Sequence, residues 1–417
     1  MQTSLFQISS RTVVNFGAGA RSLLPNMLEG LGGKRVVLFA DRDVSRSGII
    51  HQIKELFEEN QSEVHIVGIF EDIDEEANSE TVNRCARFFK EYTGDSLIAI
   101  GGTGALDTVK AVKWMVHKDI QDISEVVRST ERWPEAQLIS IPHVAVPTLT
   151  GTGAEVTAVA MVNNEEIGIK SSIYNPFINP DIAILDPELT MFLSPDVTAF
   201  TGFTTLVNAI EAYFSPKANP MTDAYAQQAI RMIADNLSNA VLDGSNLEAK
   251  ANMQLASLMA KSAFMPIVNA IPIHNLALAF CGEFGVPQMH ANAVLLPNVM
   301  ESLDTFYLSR IKGFAQALGI AEPSPDAKEC LDQAVTFIRD LRKEVGLPET
   351  LVGFGVNVDN MTDILLSVHK EPSGVHFEIP PDAVVKITSQ IFDLPVNMNQ
   401  LGADFSRIGK ISTEMCS

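Results

Sequence analysis

Short apolar runs alternate with amphipathic stretches along the first half of the chain. The runs Val36–Ala40, Val64–Phe70 and Ser96–Ile100 are mostly apolar, which is typical of strands buried on both faces of a parallel sheet. Between them, Gly48–Glu59 and Ser79–Tyr92 carry apolar residues at helical spacing. This alternation predicts an α/β fold with a doubly wound parallel sheet.

A further strand is predicted over Gln137–Val146, because an apolar run stops there at Pro147. After Asp186–Thr190 the pattern changes to long helical segments separated by proline and glycine, and strand patterns become scarce. We therefore predict an α/β domain over residues 1–190 and an α-helical domain over residues 191–417, packed together with a cleft between them. The helices predicted in the second domain are Pro195–Tyr213, Ala224–Val241, Glu248–Phe264, Pro272–Phe284, Tyr307–Ala317, Asp326–Val345 and Pro381–Phe392.

Composition restricts the class of protein. The 417-residue chain is 46% hydrophobic and 19% charged, which is ordinary globular composition. Thirty lysines and arginines against 51 acidic residues give a net charge of −21, so binding to nucleic acid or to an anionic membrane has no electrostatic support. We find no secretion signal and no apolar run of about 18 residues. Four scattered cysteines fit a reducing compartment, and we expect a cytoplasmic protein.

Two glycine-rich turns follow predicted strands. Gly101–Lys110 leaves a buried strand and opens a helix, and Pro147–Glu155 is a second turn rich in glycine and hydroxyl groups. Glycine lets backbone N–H groups approach a phosphate, and the positive end of a helix dipole attracts it. Each turn alone is also explained as a structural joint, but two of them suit a cofactor with two phosphates.

Asp41 follows the first strong strand directly. A carboxylate there is placed to accept hydrogen bonds from an adenosine ribose and would repel a ribose phosphate, which favours NAD(H) over NADP(H). The alternative, that Asp41 only caps the next turn, is equally well supported by its position.

These segments, together with Asn179–Thr190, Thr201–Tyr213 and Ala291–Pro297, resemble the iron-dependent (group III) alcohol dehydrogenase family over nearly the whole chain. The resemblance implies a dehydroquinate synthase-like fold, with a dinucleotide-binding N-terminal domain and an all-α C-terminal domain. It also implies NAD(P)-linked interconversion of an alcohol and an aldehyde or ketone, a small-molecule substrate and a homodimer. The cofactor contacts that it implies are Asp41, Gly101, Gly102, Thr103, Asp107, Thr148, Leu149, Thr152 and Leu189.

The chain departs from the family at the metal site. Family members usually hold iron or zinc with one aspartate and three histidines. A tightly held Zn²⁺ or Fe²⁺ needs about three donors from imidazole, thiolate or carboxylate groups, and hydroxyls and amides are weak substitutes. Because only one ligand is retained, we predict that the metal is absent. The positions that correspond to the four ligands are Thr204, Asn208, His274 and Gln288.

The cofactor loops depart from the family as well. The third glycine and the following serine of the first loop appear as Thr103 and Gly104. In the second loop, Leu149 replaces a threonine and Ala154 a serine, and a histidine that family members often place near the nicotinamide is Leu278. These changes remove polar contacts, although backbone N–H groups remain available to a diphosphate.

Three histidines are candidates for chemistry. His274 is the retained ligand position and the best candidate for a general acid, and His290 lies beside the lost ligand at position 288. His143 lies on a predicted strand and is interpreted as structural. A rebuilt metal centre from these three residues is a minor alternative.

The sequence leaves three functional hypotheses. In the first, an NAD(H)-dependent oxidoreductase works without a metal, and His274, helped by His290, Asn208 and Gln288, donates hydrogen bonds to the developing alkoxide. In the second, the chain is a catalytically silent relative that binds a nucleotide, a small ligand or a partner protein. In the third, it is an enzyme repurposed for a specialised biosynthetic route.

Overall fold

A computed structural model of the protein describes residues 6–7, 11–60, 62–126, 128–151, 153–166, 169–371 and 376–395. Thr152, one of the predicted cofactor contacts, lies outside these residues. The chain divides into two compact units, of which one comprises residues 1–194 and 243–262 and the other residues 195–242 and 263–417.

The first unit is built on two β-sheets. Its strands are β1 (Val13–Phe16), β2 (Arg35–Asp41), β3 (His65–Ile73), β4 (Ser96–Gly101), β5 (Arg128–Thr130), β6 (His143–Pro147), β7 (Val159–Asn164), β8 (Ile169–Tyr174) and β9 (Ile182–Leu185). Six of them form a parallel sheet in the order β1, β9, β6, β4, β2, β3, and the others form a small sheet in the order β5, β8, β7. The predicted parallel α/β architecture is confirmed.

Strand β2 shows why its sequence is continuously apolar. Val37 and Phe39 belong to one buried cluster, and Val36 and Leu38 belong to a different one. Successive side chains of a strand point to opposite faces, so each face of the sheet needs its own apolar set. Helices cover both faces, as a doubly wound fold requires.

Five helices of the first unit pack against this sheet: α1 (Leu24–Gly30), α2 (Arg42–Ser47), α3 (Ile49–Glu59), α4 (Ser79–Glu91) and α5 (Thr103–Lys118). The unit also contains most of α8 (Leu247–Phe264).

The second unit is helical, as predicted, and its described residues contain no β-strand. Its helices are α6 (Pro195–Phe214), α7 (Pro220–Leu242), α9 (Pro272–Phe284), α10 (Gln288–Ser302), α11 (Asp304–Leu308), α12 (Ile311–Ala317), α13 (Ala327–Glu344), α14 (Met361–Lys370) and α15 (Pro381–Phe392).

Residues 243–262 join the first unit, although the sequence assigned them to the helical domain. The reason is a pair of hydrogen bonds from α8 to the loop after β6. The Gln254 side chain donates to the carbonyl of Pro147 at 3.3 Å, and the Ser257 hydroxyl accepts from the N–H of Gly151 at 2.8 Å.

Two predicted elements differ from the structure. The strand predicted over Gln137–Val146 begins only at His143. Its first partner in β4 is Leu97, whose N–H donates to the carbonyl of Pro142. Pro142 has no N–H to donate, so the hydrogen-bond ladder between the strands does not continue toward the N-terminus through residue 142.

Two helices of the second unit also differ from the predictions. The helix predicted over Tyr307–Ala317 is two helices, α11 and α12. Helix α10 was not predicted as a helix, because Pro297 lies inside it and proline ordinarily ends a helical pattern.

Within the described residues no single helix is long and apolar enough to cross a membrane. Only Leu247–Ile267 and Pro272–Phe284, taken together as a pair broken by a bend, pass such a test of length and composition.

Candidate active site

The predicted cofactor loops follow three neighbouring strands of the large sheet. Strand β2 ends at Asp41, β4 at Gly101 and β6 at Pro147, and β4 lies between the other two. After β2 the chain adds β3 on one side and then β4 on the other, so the sheet reverses its order between β2 and β4. Open α/β sheets bind ligands at the carboxyl edge beside such a switch point.

Asp41 connects the first two strand ends. Its Oδ1 accepts a hydrogen bond from the N–H of Val44 at 2.8 Å, which caps α2, and its Oδ2 accepts one from the N–H of Gly102 at 2.8 Å. Burial raises the pKa of this carboxyl group, while the two N–H groups act in the opposite direction. Asp41 is thus the N-cap of α2 at the end of β2, and both of its oxygens already bind backbone N–H groups.

Gly101 and Gly102 are required by close packing within the protein. Gly101 has a φ of 146°, and a Cβ there would lie 2.2 Å from Oδ2 of Asp41. A Cβ on Gly102 would lie 2.4 Å from Cδ1 of Leu149. A side chain is therefore excluded at either position without movement of these neighbours.

Helix α5 begins directly after these glycines. Gly102 is its N-cap and supplies no side-chain hydrogen bond, so the N–H groups of the first turn, from Thr103 onward, have no acceptor inside the helix. A Cβ on Gly104 would lie 2.3 Å from the carbonyl oxygen of Asp74 and 2.5 Å from that of Glu75. This close backbone explains why glycine, rather than a larger residue, stands at position 104.

Asp107 is buried and is bound within the protein. Its Oδ1 pairs with Nζ of Lys110 at 2.7 Å, and its Oδ2 accepts from the N–H of Met161 at 3.1 Å. Lys110 also donates to the carbonyl of Ala154 at 3.0 Å and to the hydroxyl of Thr157 at 2.9 Å. Asp107, a predicted cofactor contact, thus fastens α5 to β7, and its ion-pair partner Lys110 fastens α5 to the second loop.

The other predicted contacts lie in or near the second loop. Thr148 is buried, and its N–H donates to the carbonyl of Gly101 at 3.1 Å, which joins the two loops. Leu149 is partly exposed and contacts Gly102, where it offers no hydrogen bond to a ligand. Leu189 is buried in the core with Ile184, so its side chain packs against the sheet.

One face of α8 lines the second loop. Gln254, Ser257 and Lys261 follow each other at spacings of three and four residues, which places them on one side of the helix. The first two make the hydrogen bonds to the loop described above. Lys261 lies against Gly153, where a Cβ would be 2.2 Å from Cβ of the lysine.

Two groups beside this face change charge near neutral pH. Burial raises the pKa of Glu155 to about 7, against the charges of Lys110 and Lys261. Burial lowers the pKa of Lys261 to about 8; Lys110 lowers it further, whereas Asp107 and Glu155 raise it. Both pKa values lie in the range in which a group can respond to a ligand or exchange a proton.

The second unit contains the four positions that correspond to metal ligands. Thr204 and Asn208 are one turn apart on α6, His274 is in the first turn of α9, and Gln288 begins α10. They offer a hydroxyl, two amides and one imidazole. Among the residues that the structure describes, no group of three or more His, Cys, Asp or Glu side chains is placed to hold a metal ion. This donor set does not fit tightly bound iron or zinc.

His274 is held by a buried carboxylate. Its Nδ1 contacts Oε2 of Glu211, and Oε1 of the same carboxylate accepts the N–H groups of Ile273 at 2.7 Å and of His274 at 3.3 Å. Phe264 stacks on the imidazole with ring centroids 5.0 Å apart. The contact at Nδ1 assigns the ring hydrogen to that nitrogen and leaves Nε2 for other partners.

His290 is held by aromatic rings instead of polar groups. Its ring lies 4.0 Å from that of Phe200 and 6.3 Å from that of Phe354, measured between centroids. Nδ1 is buried and makes no hydrogen bond with the described residues. Burial lowers the pKa of this histidine, so it is expected to be neutral at pH 7.

His143 is fully buried on β6 in the first unit. Neither of its ring nitrogens makes a hydrogen bond with the described residues. Burial holds its pKa well below the ordinary value, and the charges of Lys113 and Lys110 act in the same direction. The described residues offer no cluster that would support a metal centre rebuilt from His143, His274 and His290.

Sequence reasoning did not assign two residues of these sites a role in chemistry. Glu211, about one helical turn from Asn208, was interpreted as part of the scaffold, and its partner His274 is 63 residues away along the chain. Lys261 was not singled out at all. The sequence feature that could have pointed to Lys261 is its position. It is a lysine within a stretch of otherwise small or apolar residues, Leu258–Phe264, and it lies on the polar side of the helix that includes Gln254.

Comparison with known proteins agrees with this architecture. Residues 11–187 match the family model described as iron-containing alcohol dehydrogenase, and residues 198–383 match the C-terminal model of the Fe-containing alcohol dehydrogenase family. Long-chain-alcohol dehydrogenase 1 of Geobacillus thermodenitrificans is 31% identical over 345 residues, which is 82% of this chain and 84% of that protein. The 1,3-propanediol dehydrogenase of Klebsiella pneumoniae is 31% identical over 360 residues, 85% of this chain and 90% of that protein.

A solved structure is similar over the same extent. The crystal structure of a 1,3-propanediol oxidoreductase has a TM-score of 0.85 and 28% identity, and it covers 93% of this chain and 100% of its own. The chain is thus an alcohol dehydrogenase-like oxidoreductase. It belongs to the iron-containing alcohol dehydrogenase family.

Proposed function

We propose that this protein is an NAD(H)-dependent alcohol dehydrogenase or carbonyl reductase that interconverts an alcohol with an aldehyde or ketone without a bound metal ion. The observation that carries the proposal is the donor set of the second unit. Three of the four ligand positions carry uncharged side chains, Thr204, Asn208 and Gln288, and the imidazole of His274 pairs with Glu211. These positions offer too few donor side chains to bind a metal ion that could act as a Lewis acid. The imidazole of His274, in contrast, is held in a fixed orientation.

The first unit supports the cofactor part of the proposal. The uncapped N-terminus of the 16-residue helix α5 lies at the switch point of the sheet, an arrangement that binds phosphate groups. Asp41 at the end of β2 favours NAD(H) because its carboxylate would repel a 2′-phosphate. When bound, the nicotinamide supplies or accepts the hydride.

The proposal assigns the proton to His274. Glu211 holds the hydrogen on Nδ1, so the proton transferred is the second one, carried on Nε2 of the imidazolium: it passes to the carbonyl oxygen during reduction, leaving the neutral ring, and returns to Nε2 during oxidation. The pairing resembles the orienting carboxylate of other histidine catalysts. His290, with its lowered pKa, is suited to a hydrogen-bonding role beside it rather than to carrying charge.

The names of the relatives guide the choice of substrates. They include a 1-propanol dehydrogenase of Citrobacter freundii and a choline dehydrogenase of Bacillus subtilis, besides the long-chain alcohol and propanediol enzymes named above. We propose a small or medium primary alcohol and its aldehyde as the substrate class.

The experiment is a titration of the purified chain with NADH, followed by nicotinamide fluorescence, and then turnover of a panel of aldehydes from propanal to long-chain aldehydes. Binding with turnover in metal-free buffer supports the proposal. No binding at millimolar NADH would reject it and favour the silent relative.

We also propose a homodimer formed along β1. This strand is at the edge of the large sheet, pairs with β9 alone among the described strands, and exposes Val13 and Phe16. Exposed apolar edges are prone to pair with another chain. Light scattering should give about twice 45.3 kDa, and Val13→Lys should shift it toward the single mass. A monomer in the unmutated protein would reject the dimer.

We propose the cytoplasm as the compartment, because Cys85 and Cys330 are free thiols, which fit a reducing environment.

A further inference from the structure

Lys261 is a charged residue that the proposed mechanism leaves unused. It is partly exposed and lies on the polar face of α8 beside Ser257. A Cβ on Gly153 would lie 2.2 Å from Cβ and 2.7 Å from Cγ of this lysine. The stem of Lys261 therefore occupies the space beside the second loop, and Gly153, with φ of 57°, is the residue that makes room for it.

The charged groups that act on the ammonium group come from two elements other than α8. Asp107 and Lys110 lie on α5, and Glu155 lies on the second loop, while Lys261 itself is on α8. The ammonium group is thus within electrostatic range of α5 and of the second loop, and the stem of the lysine lies against Gly153 of that loop.

The local balance of these charges favours an anion. Asp107 is neutralised by its ion pair with Lys110 at 2.7 Å. Glu155 is buried, and it is the second carboxylate whose charge acts on Lys261. When Glu155 is protonated, this place is positive although the whole chain carries a net charge of −21. A positive group beside two glycine loops is the usual means of attracting a phosphate.

We propose that Lys261 is a binding residue of the dinucleotide site and that its ammonium group contacts the diphosphate held by the two glycine loops. This inference rests on the proposed function, because it needs the dinucleotide to bind there. It assigns to α8, which joins the first unit through Gln254 and Ser257, a direct part in cofactor binding.

The titration of the site gives the proposal a distinctive signature. Lys261 loses its charge as the pH rises through about 8, and Glu155 gains a negative charge as it rises through about 7. Both changes reduce attraction for an anion, while the diphosphate keeps a constant charge over this range. Affinity for the dinucleotide is therefore expected to fall between these two pH values.

The test compares full-length wild-type protein with Lys261→Met and Lys261→Arg. Lys217→Met is the matched control, since it removes the same charge from an exposed position in the second unit. Dissociation constants for NADH and for ADP-ribose are measured over a pH range that extends from below the pKa of Glu155, about 7, to above the pKa of Lys261, about 8. ADP-ribose carries the diphosphate but no nicotinamide, so it isolates the proposed contact.

We expect Lys261→Met to bind both ligands about 10- to 100-fold more weakly at the lower pH, as loss of a charge-assisted contact implies. Lys261→Arg should retain binding and lose the fall of affinity near pH 8, and Lys217→Met should match the wild type. Equal affinity and an unchanged pH profile in Lys261→Met would overturn the inference. If circular dichroism shows that Lys261→Met does not fold, the pH profile of Lys261→Arg is the test. A fall in affinity near pH 8 that is the same in Lys261→Arg as in the wild type would overturn the inference. Failure of the wild type to bind NADH would instead reject the proposed function.

Discussion

Glu211 on α6 holds His274 at the start of α9 through three contacts. One oxygen contacts Nδ1 of the imidazole, and the other accepts the N–H groups of Ile273 and His274. The carboxylate thus stands where the first-turn N–H groups of a helix need an acceptor, while it fixes the orientation of the ring. A single buried side chain supports both the helix and the proposed proton donor.

Replacing Glu211 should affect stability and catalysis separately. Glu211→Ala leaves two buried N–H groups and the imidazole without their acceptor, so we expect a loss of about 3 kcal/mol in the free energy of unfolding. Glu211→Gln keeps an oxygen for the N–H groups and should be more stable than the alanine variant, with reduced kcat. Chemical denaturation and steady-state kinetics measure the two effects. A Glu211→Ala protein as stable as wild type would contradict this account.

His274→Ala should lower kcat by about 10²- to 10⁴-fold, the usual contribution of a positioned general acid. The dissociation constant of NADH should stay nearly unchanged, because the proposed cofactor loops are in the first unit. His290→Ala, on the neighbouring candidate, is the comparison and should have the smaller effect. Unchanged turnover in His274→Ala would show that another group carries the proton.

The metal prediction can be tested by restoring the donor set. The purified wild-type chain should contain far less than one iron or zinc ion, and a chelator should leave its activity unchanged. The triple variant Thr204→Asp, Asn208→His, Gln288→His recreates one carboxylate and three imidazoles, which should bind about one Zn²⁺ per chain. Elemental analysis and zinc titration measure this outcome. A full complement of metal in the wild type would refute the metal-free mechanism.

Gly104→Ala should destabilise the first unit. Its added methyl group would meet the backbone oxygens of Asp74 and Glu75 at 2.3 and 2.5 Å, and backbone moves less readily than a flexible side chain. We expect a lower melting temperature and weaker NADH binding. Gly282→Ala is the control, because nothing lies within 4 Å of the new atom and alanine favours the helix there. Equal effects of the two variants would disprove the steric argument.

Glu155 should make the stability of the protein depend on pH. Its pKa is raised from 4.5 to about 7 in the folded chain, so the folded state holds a proton that the unfolded state releases. The free energy of unfolding therefore falls as the pH rises from 4.5 to about 7 and is level above that, a change of about 3 kcal/mol from this group. Glu155→Gln should remove this part of the slope. Denaturation curves of both proteins at several pH values test it, and identical slopes would count against a buried, protonated Glu155.

The sequence predicted those elements of the fold that have a clear local signal, such as a periodic hydrophobic pattern or a proline at a helix start. Strands β2 and β4 were found because both of their faces are apolar, and α6 and α9 were found because proline marks their first turn. Helix α10 was missed because Pro297 lies within it, and tertiary packing tolerates a proline that the local pattern treats as an end.

The same division holds for the candidate site. Residue type and spacing are enough to predict the parallel α/β architecture, the glycine turns after β4 and β6, and the loss of metal-binding donors at three of the four ligand positions. Which groups meet depends on how the chain packs: Glu211 contacts His274, Asp41 contacts Gly102, and Lys261 contacts Gly153. These partners are far apart along the chain, and their contacts depend on how helices and loops pack rather than on any local periodicity.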